Sequence, residues 1–140
     1  MIRVLALGVF DVLHPGHIAH LRAARALGDH LMVAVTADNF VCKGLGRPLF
    51  TYAERSQCLR ELRCVDGVIP FEYYAEVIQF VRPNIYAKGI EYKDNLPETE
   101  LVELLGGVVH YLDTKPVYSS TKIMNGEMLR ERIESLGQSR

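Results

Sequence analysis

The chain has 140 residues, of which 49% are hydrophobic and 24% charged, and its formal net charge is −1. This length and composition predict one packed domain over residues 1–140 and argue against disorder. The near-neutral charge removes a broad electrostatic case for a nucleic-acid partner, which requires a basic excess. Apolar runs fall far short of the ~20 residues of a membrane helix, and the N-terminus lacks a signal-peptide pattern. Three cysteines without metal spacing are typical of reduced thiols, so we expect a cytoplasmic protein with no membrane partner.

Strand and helix patterns alternate along the first half of the chain. Residues 2–8 are mostly apolar and end in a glycine, which is typical of a buried strand. Residues 16–28 carry apolar side chains at helical spacing and stop at a glycine, which predicts a helix. A second buried strand is predicted over residues 31–36, and residues 38–50 contain the glycines and proline of a loop.

The second half continues the same alternation. Residues 51–54 (TYAE) form a capping-box pattern, which predicts a helix over residues 51–64. Further strands are predicted at residues 67–71, 84–88 and 108–112, and further helices at 75–81, 98–105 and from 119 onward. The pattern predicts an α/β, single-domain Rossmann-like fold, with a five-stranded parallel sheet and helices on both faces. Ligands of such sheets bind beyond the carboxyl ends of the strands, and every motif below follows a predicted strand.

The segment GVFDVLHPGH joins the first strand to the first helix. Gly8 lets the backbone approach a ligand closely, and Pro15 suits a first helical turn. The free amides and the positive end of the helix dipole favour an anion. His14 and His17 share one face at this helix start and can donate hydrogen bonds to phosphate oxygens in a transition state. A histidine pair alone is also a common surface or core feature, and His20 is predicted to lie on the helix surface.

This segment resembles the G-x-F-D-x-x-H-x-G-H signature of the cytidylyltransferase-like nucleotidyltransferase family. The resemblance implies a dinucleotide-fold sheet and an in-line attack on the α-phosphorus of a nucleoside triphosphate, with pyrophosphate leaving and no covalent intermediate. Class I aminoacyl-tRNA synthetases share a similar element, but 140 residues leave no room for their other domains. The resemblance implies that His14 and His17 are catalytic and that nucleotide is bound by Gly8, Val9, Phe10, Asp11 and Gly16.

A glycine-rich loop with two cations, Lys43 and Arg47, follows the second strand. Such cations can clamp phosphates, although the spacing alone suits an ordinary surface loop equally well. The stretch resembles the K-G-x-G-R-P loop of the sugar-phosphate adenylyltransferases that make ADP-heptose in lipopolysaccharide synthesis. The resemblance implies a catalytic role for Lys43 and phosphate or substrate binding by Arg47. Arg55 matches a recurring family arginine that reaches the phosphates, and the alternative is a solvated helix charge.

The segment KGIEY, residues 88–92, follows the fourth strand. It resembles the K-G-x-[DE]-Y segment of the same adenylyltransferases, which implies that Lys88, Gly89 and Tyr92 lie near the nucleobase. The acceptor pocket is expected along the loop after the second strand and near Tyr73, Tyr74 and Tyr92. Nothing in these residue types distinguishes a heptose from a glycerol.

The segment SSTKI, residues 119–123, opens the last helix. It resembles the family's I-S-[ST]-T-K-I element that holds the β- and γ-phosphates, which implies nucleotide binding by Ser119, Ser120 and Thr121. Hydroxyl groups at a helix start can equally serve as caps. The glycerol-3-phosphate cytidylyltransferases carry an arginine five residues before this element, where Thr114 stands here, followed by Lys115. This departure leaves the choice between ATP and CTP open.

Together these motifs predict transfer of a nucleoside monophosphate from ATP or CTP to a phosphorylated sugar or polyol. The enzyme class that they favour over the others is a sugar-phosphate adenylyltransferase. The alternatives are a glycerol-3-phosphate-type cytidylyltransferase and, in another class, a non-catalytic nucleotide-binding module. Such transfer depends on positioning and charge neutralisation. We expect Mg²⁺ to be bound mainly through the triphosphate, with few or no protein ligands and with Asp11 reaching the metal only through water. Family resemblance and the apolar side chains of residues 71–81 predict a homodimer through this region, and the alternative is that these residues only close the edge of the sheet.

Overall fold

Five parallel strands form one sheet in the computed structural model. The structure describes residues 1–114 and 119–138, and residue 138 is described by its backbone alone. The strands pair in the order β3-β2-β1-β4-β5, so the order reverses between β1 and β4. A crevice is expected at such a reversal, beyond the carboxyl ends of the strands. The strands are β1 (Arg3–Gly8), β2 (His30–Thr36), β3 (Gly67–Phe71), β4 (Ile85–Gly89) and β5 (Val108–Leu112).

Helices cover both faces of the sheet, which confirms the predicted fold class. Val4 and Ala6 of β1 pack in one buried cluster with the first two helices, whereas Leu5 packs in a second cluster with the third and fourth. This alternation follows from the two-residue period of a strand. The helices are α1 (Pro15–Arg25), α2 (Tyr52–Arg60), α3 (Tyr74–Val81), α4 (Thr99–Leu104), α5 (Ser120–Met124) and α6 (Glu127–Gln138).

Three helices end differently from the sequence prediction, and the first of them, α1, ends at Arg25 rather than at Gly28. The capping box of Thr51 and Glu54 is present, but α2 ends at Arg60 rather than near residue 64. The chain turns there because Asp66 must reach β2, where its carboxylate accepts from the Leu31 amide at 2.8 Å. The predicted last helix is divided into α5 and α6 by Gly126, whose φ of +78° is left-handed. Over residues 1–114 and 119–138, no helix is both long enough and apolar enough to cross a membrane.

Candidate active site

A cavity of about 390 Å³ lies at the carboxyl ends of β1 and β4, where the strand order reverses. It is lined by the segments after these strands, the start of α1, the loop between β2 and α2, and the start of α5. The predicted site residues that line it are Gly8, Val9, Phe10, Asp11, His14, Gly16, His17, Lys43, Arg47, Lys88, Gly89, Tyr92, Ser119 and Ser120. Their roles in binding and catalysis stay predictions, and Thr121 and Arg55 are described below.

The chain leaves β1 in a constrained conformation. Phe10 has a φ of +51°, a left-handed value that costs a side-chain-bearing residue on the order of 1–3 kcal/mol. Its buried ring meets the His17 ring edge-on, with the centroids 5.3 Å apart. A Cβ atom on Gly8 would lie 2.6 Å from the Phe10 ring. Glycine at position 8 therefore lets Phe10 fold back against the strand and aim the chain at α1.

His14 caps the N-terminus of α1 with its imidazole. Its Nδ1 accepts from the amides of Gly16, at 3.1 Å, and His17, at 3.3 Å. Burial lowers the pKa of His14, so the ring is neutral at pH 7 and its proton lies on Nε2. Serine, threonine, aspartate and asparagine are the usual N-cap residues. The sequence therefore did not indicate that a histidine would cap this helix. The cap fixes the tautomer that can donate to a ligand through Nε2.

His17 stacks on His14, with ring centroids 3.8 Å apart and planes 21° apart. Burial, followed by the charges of His14, His20 and Lys43, lowers the pKa of His17 to about 4. Both imidazoles are therefore neutral at pH 7 before an anion binds. A bound polyanion would raise both pKa values, because negative charge favours the protonated form. The pair is suited to increasing its positive charge as negative charge develops beside it.

Asp11 connects the loop between β2 and α2 to the exit of β1. Its buried carboxylate accepts from Arg47 Nε at 2.8 Å and from the amides of Leu49, at 2.8 Å, and Phe50, at 3.0 Å. Burial by itself would raise the pKa of Asp11, and these donors together lower it. The resemblance implied a nucleotide contact for Asp11. In the structure both carboxylate oxygens hold the loop, and the nucleotide contact of Asp11 stays a prediction.

Arg47 links that loop to the start of α5 and lines the cavity. Its Nη1 donates to the Thr121 hydroxyl at 3.1 Å, which places Thr121 beside the cavity although it is not among the lining residues. The buried Nη2 has no hydrogen-bond partner within residues 1–114 and 119–138. An unpaired buried guanidinium nitrogen favours an anionic ligand. Burial, and then the charge of Arg47, lowers the pKa of the neighbouring Lys43.

Arg55 lies beneath the loop rather than in the cavity. It is 1% exposed and donates to the Val9 carbonyl at 2.8 Å, the Phe50 carbonyl at 2.9 Å and Asp38 Oδ1 at 2.6 Å. The structure thus places Arg55 differently from both sequence interpretations, a phosphate ligand and a solvated charge. Each of its three guanidinium nitrogens donates one of these bonds, and together they join the exit of β1 to the loop.

The cavity lining includes two residues that sequence reasoning did not assign to the site, His20 of α1 and Glu91, which follows β4. His20 was predicted to be a surface residue, yet it lines the cavity one turn beyond His17, a spacing that could have revealed it. Its pKa is lowered mainly by burial, against the charge of Glu91. Lys88 lies with its ammonium 4.3 Å from the Tyr92 ring centroid, within cation–π range.

The hydroxyl groups at the start of α5 make structural bonds. Ser119 Oγ accepts from the Lys122 amide at 3.4 Å, and Ser120 Oγ donates to the Val12 carbonyl at 2.8 Å. The cap alternative therefore describes Ser119, while both serines still border the cavity. Thr114 also borders it, and Lys115 lies outside the described residues.

Not every residue expected in an acceptor pocket lies together. Tyr92 lines the cavity, but Tyr73 lines a separate groove between β3 and α3. The expected grouping of these tyrosines is therefore wrong. Leu7 and Thr114 also border the cavity, and the sequence analysis proposed neither of them as a lining residue.

The sequence model of one protein family, described as cytidylyltransferase-like, matches residues 5–126 of the chain. The chain belongs to the cytidylyltransferase-like family. This confirms the predicted family and the predicted enzyme class, nucleotidyltransferase.

Individual relatives agree with this assignment. The chain is 41% identical over 129 residues to the bifunctional protein HldE of Streptomyces coelicolor, covering 86% of this chain and 27% of the relative. It is 38% identical over 135 residues to that of Syntrophotalea carbinolica, covering 91% and 26%. It thus spans about a quarter of the length of these curated relatives. A solved lipopolysaccharide core biosynthesis protein from Thermoplasma volcanium is 34% identical, with a TM-score of 0.68 over 85% of this chain and 99% of that one.

Proposed function

We propose that this chain transfers AMP from ATP to a sugar 1-phosphate and releases pyrophosphate. The observation that carries the proposal is the cavity at the strand reversal, where stacked His14 and His17 lie with Arg47, whose buried Nη2 has no partner among the residues that the structure describes. The relatives at 37–41% identity support the choice of substrates, because they are heptose 7-phosphate kinase/1-phosphate adenylyltransferases. Heptose 1-phosphate is accordingly the acceptor that we expect first.

The chemistry requires little from the protein beyond placement and charge. An oxygen of the acceptor phosphate attacks the α-phosphorus, the bond from the α-phosphorus to the bridging oxygen breaks, and pyrophosphate leaves with the electron pair. His14 Nε2 and the His17 ring donate to the α-phosphate oxygens as negative charge grows there. Lys43 and Arg47 hold the remaining phosphate oxygens and keep donor and acceptor in line.

The cavity suits Mg²⁺ that arrives on the substrate. The lining carries six cationic or imidazole side chains against two carboxylates, Asp11 and Glu91, and both oxygens of Asp11 already accept from Arg47, Leu49 and Phe50. Hard cations prefer several oxygen ligands, and the triphosphate provides them in one molecule. Mg²⁺ held there would neutralise phosphate charge.

Two alternatives remain distinct from this proposal. A glycerol-3-phosphate-type cytidylyltransferase would use the same histidines with CTP, although Thr114 borders the cavity at the position where those enzymes carry an arginine. A non-catalytic module would bind a nucleotide without turnover, and the paired imidazoles argue against it. A cytoplasmic location and a homodimer stay predictions.

Pyrophosphate release tests the proposal directly. The chain is incubated with Mg²⁺ and each of ATP, CTP, GTP and UTP, in combination with heptose 1-phosphate or glycerol 3-phosphate. We expect release with ATP and the sugar phosphate alone. Release with CTP and glycerol 3-phosphate would replace the proposal by the cytidylyltransferase, and nucleotide binding without release from any pair would leave the non-catalytic module.

Lys43→Ala is expected to raise the KM of one substrate about tenfold or more, because a charge-assisted hydrogen bond contributes roughly 1.5–3 kcal/mol. Stability should change by no more than about 0.5 kcal/mol, since Lys43 lies on an exposed loop. Substrate titrations beside a thermal melt measure both effects, and Lys43→Arg, which keeps the charge, serves as the control. A large loss of melting temperature with unchanged kinetics would contradict the binding role.

A further inference from the structure

The start of α4 contributes a buried carboxylate that no step of the proposed reaction uses. Glu98 directly precedes α4 and is 8% exposed. It occupies the N-cap position, but its side chain makes no cap hydrogen bond. Its Oε2 instead accepts from the hydroxyl group of Tyr86 at 2.9 Å, and Tyr86 is fully buried on β4. Neither solvent contact nor helix capping therefore accounts for a carboxylate at this position.

Tyr86 connects this carboxylate to Lys88. The two residues are two positions apart on β4, so their side chains lie on the same face of the sheet. The Lys88 ammonium lies 5.8 Å from the Tyr86 ring centroid and 4.3 Å from that of Tyr92, within cation–π range of both rings. Lys88 lines the cavity, whereas Tyr86 and Glu98 are not among the lining residues. The ammonium is thus the part of this group that a ligand can reach.

The charge of Glu98 acts on Lys88. Among the residues that the structure describes, the Tyr86 hydroxyl is the one hydrogen-bond donor to this carboxylate, and no ion pair is formed. Burial lowers the pKa of Lys88, and the charges of Glu98 and then Glu91 oppose that shift. Burial and the charge of Glu98 raise the pKa of Tyr86, so the phenol keeps the proton that it donates. A buried carboxylate with one neutral donor is costly by itself, and stabilisation of the nearby ammonium offsets that cost.

We propose that Glu98 is a positioning residue of the candidate active site, which holds the Lys88 ammonium at the cavity wall through Tyr86 and through its own charge. Lys88 then presents a charged donor to an acceptor atom of the bound nucleotide, beside the Tyr92 ring. The inference rests on the proposed function in making the nucleotide the ligand of Lys88. The action of Glu98 on Lys88 is a property of the free chain, so it is testable without substrate.

Other titratable groups surround the ammonium and stay unchanged in the test. The titratable side chains that face Lys88 from its own and neighbouring elements are His20, Tyr86, Glu91, Tyr92, Glu98 and Tyr111. Glu98→Gln removes one charge from this set and retains an oxygen that can accept from the Tyr86 hydroxyl. A changed titration of Lys88 in this variant therefore reports the charge of Glu98 rather than loss of the hydrogen bond.

Titration of the Lys88 side chain by NMR, with isotope-labelled lysine, tests the proposal in the free protein. Lys88 should lose its proton at a lower pH in Glu98→Gln than in the wild type, because the opposite charge that favours the ammonium is gone. Glu98→Asp, which keeps the charge, should titrate closer to the wild type. Glu100→Gln, an exposed substitution on the same helix, is the matched control and should titrate as the wild type does. Equal titration of Lys88 in the wild type and in Glu98→Gln would overturn the proposal.

Kinetics distinguish positioning from a purely structural role. The nucleotide KM of Glu98→Gln should begin to rise at a lower pH than that of the wild type, and exceed it about tenfold where Lys88 is neutral in the variant alone. In a Lys88→Met background, Glu98→Gln should leave the KM unchanged, because no ammonium remains to be positioned. An unchanged KM, or an equal effect in both backgrounds, would overturn the proposal. A shifted Lys88 titration without pyrophosphate release from any triphosphate would support the action of Glu98 on Lys88 and contradict the proposed function.

Discussion

His17→Ala is expected to lower turnover by about 10²–10³-fold, with a much smaller change in nucleotide affinity. The imidazole is neutral in the free protein, because burial and neighbouring charges lower its pKa to about 4. Its hydrogen bond and charge thus contribute most when negative charge develops on the α-phosphate. Loss of a donor that acts mainly in the transition state lowers kcat and kcat/KM together.

Steady-state kinetics on the variant, with the pyrophosphate assay, measure this effect. His17→Asn retains a side-chain N–H and is expected to recover part of the lost turnover. His110→Ala is the matched control, because His110 is exposed on β5 and is absent from the cavity lining. Near-wild-type turnover of His17→Ala would remove His17 from the mechanism.

Asp11→Ala is expected to destabilise the fold by about 3 kcal/mol and to raise the KM of the substrates. The substitution leaves the buried Arg47 guanidinium without its carboxylate and removes the acceptor of the Leu49 and Phe50 amides. Unpaired buried donors cost more than the net value of the bonds they made. The loop that carries Lys43 should then keep only the attachment to the exit of β1 that Arg55 makes.

The variant Arg47→Met distinguishes the contribution of this region to loop stability from its contribution to substrate binding. Asp11 keeps its two backbone donors in this variant, so the stability loss should be smaller than in Asp11→Ala, while the loss of activity should be at least as large. Denaturant unfolding and substrate titrations measure the two effects. Asp94→Ala, an exposed aspartate substitution, should change stability by no more than about 0.5 kcal/mol. An Asp11→Ala variant as stable as this control would show that Asp11 does not hold the loop.

The strands could be predicted to within one residue at each end, because strands buried on both faces are continuous apolar runs. Helix ends were less predictable. The early end of α2 depends on the bond between Asp66 and Leu31, which lie on different elements. The division of the last helix at Gly126 follows from a left-handed backbone conformation that a glycine permits but does not require.

Within the site, the amino-acid sequence by itself determined the family, the strand-to-helix junction and the positions of His14, His17, Lys43 and Arg47, because these depend on local order and spacing. Only the tertiary structure decided which polar groups support the site and which face the cavity. Asp11 binds a loop 36 to 39 residues away, and Arg55 reaches Val9 across 46 residues. Such distant pairings leave no periodic or local pattern in a single sequence, since they are created only when the sheet brings its strand ends together.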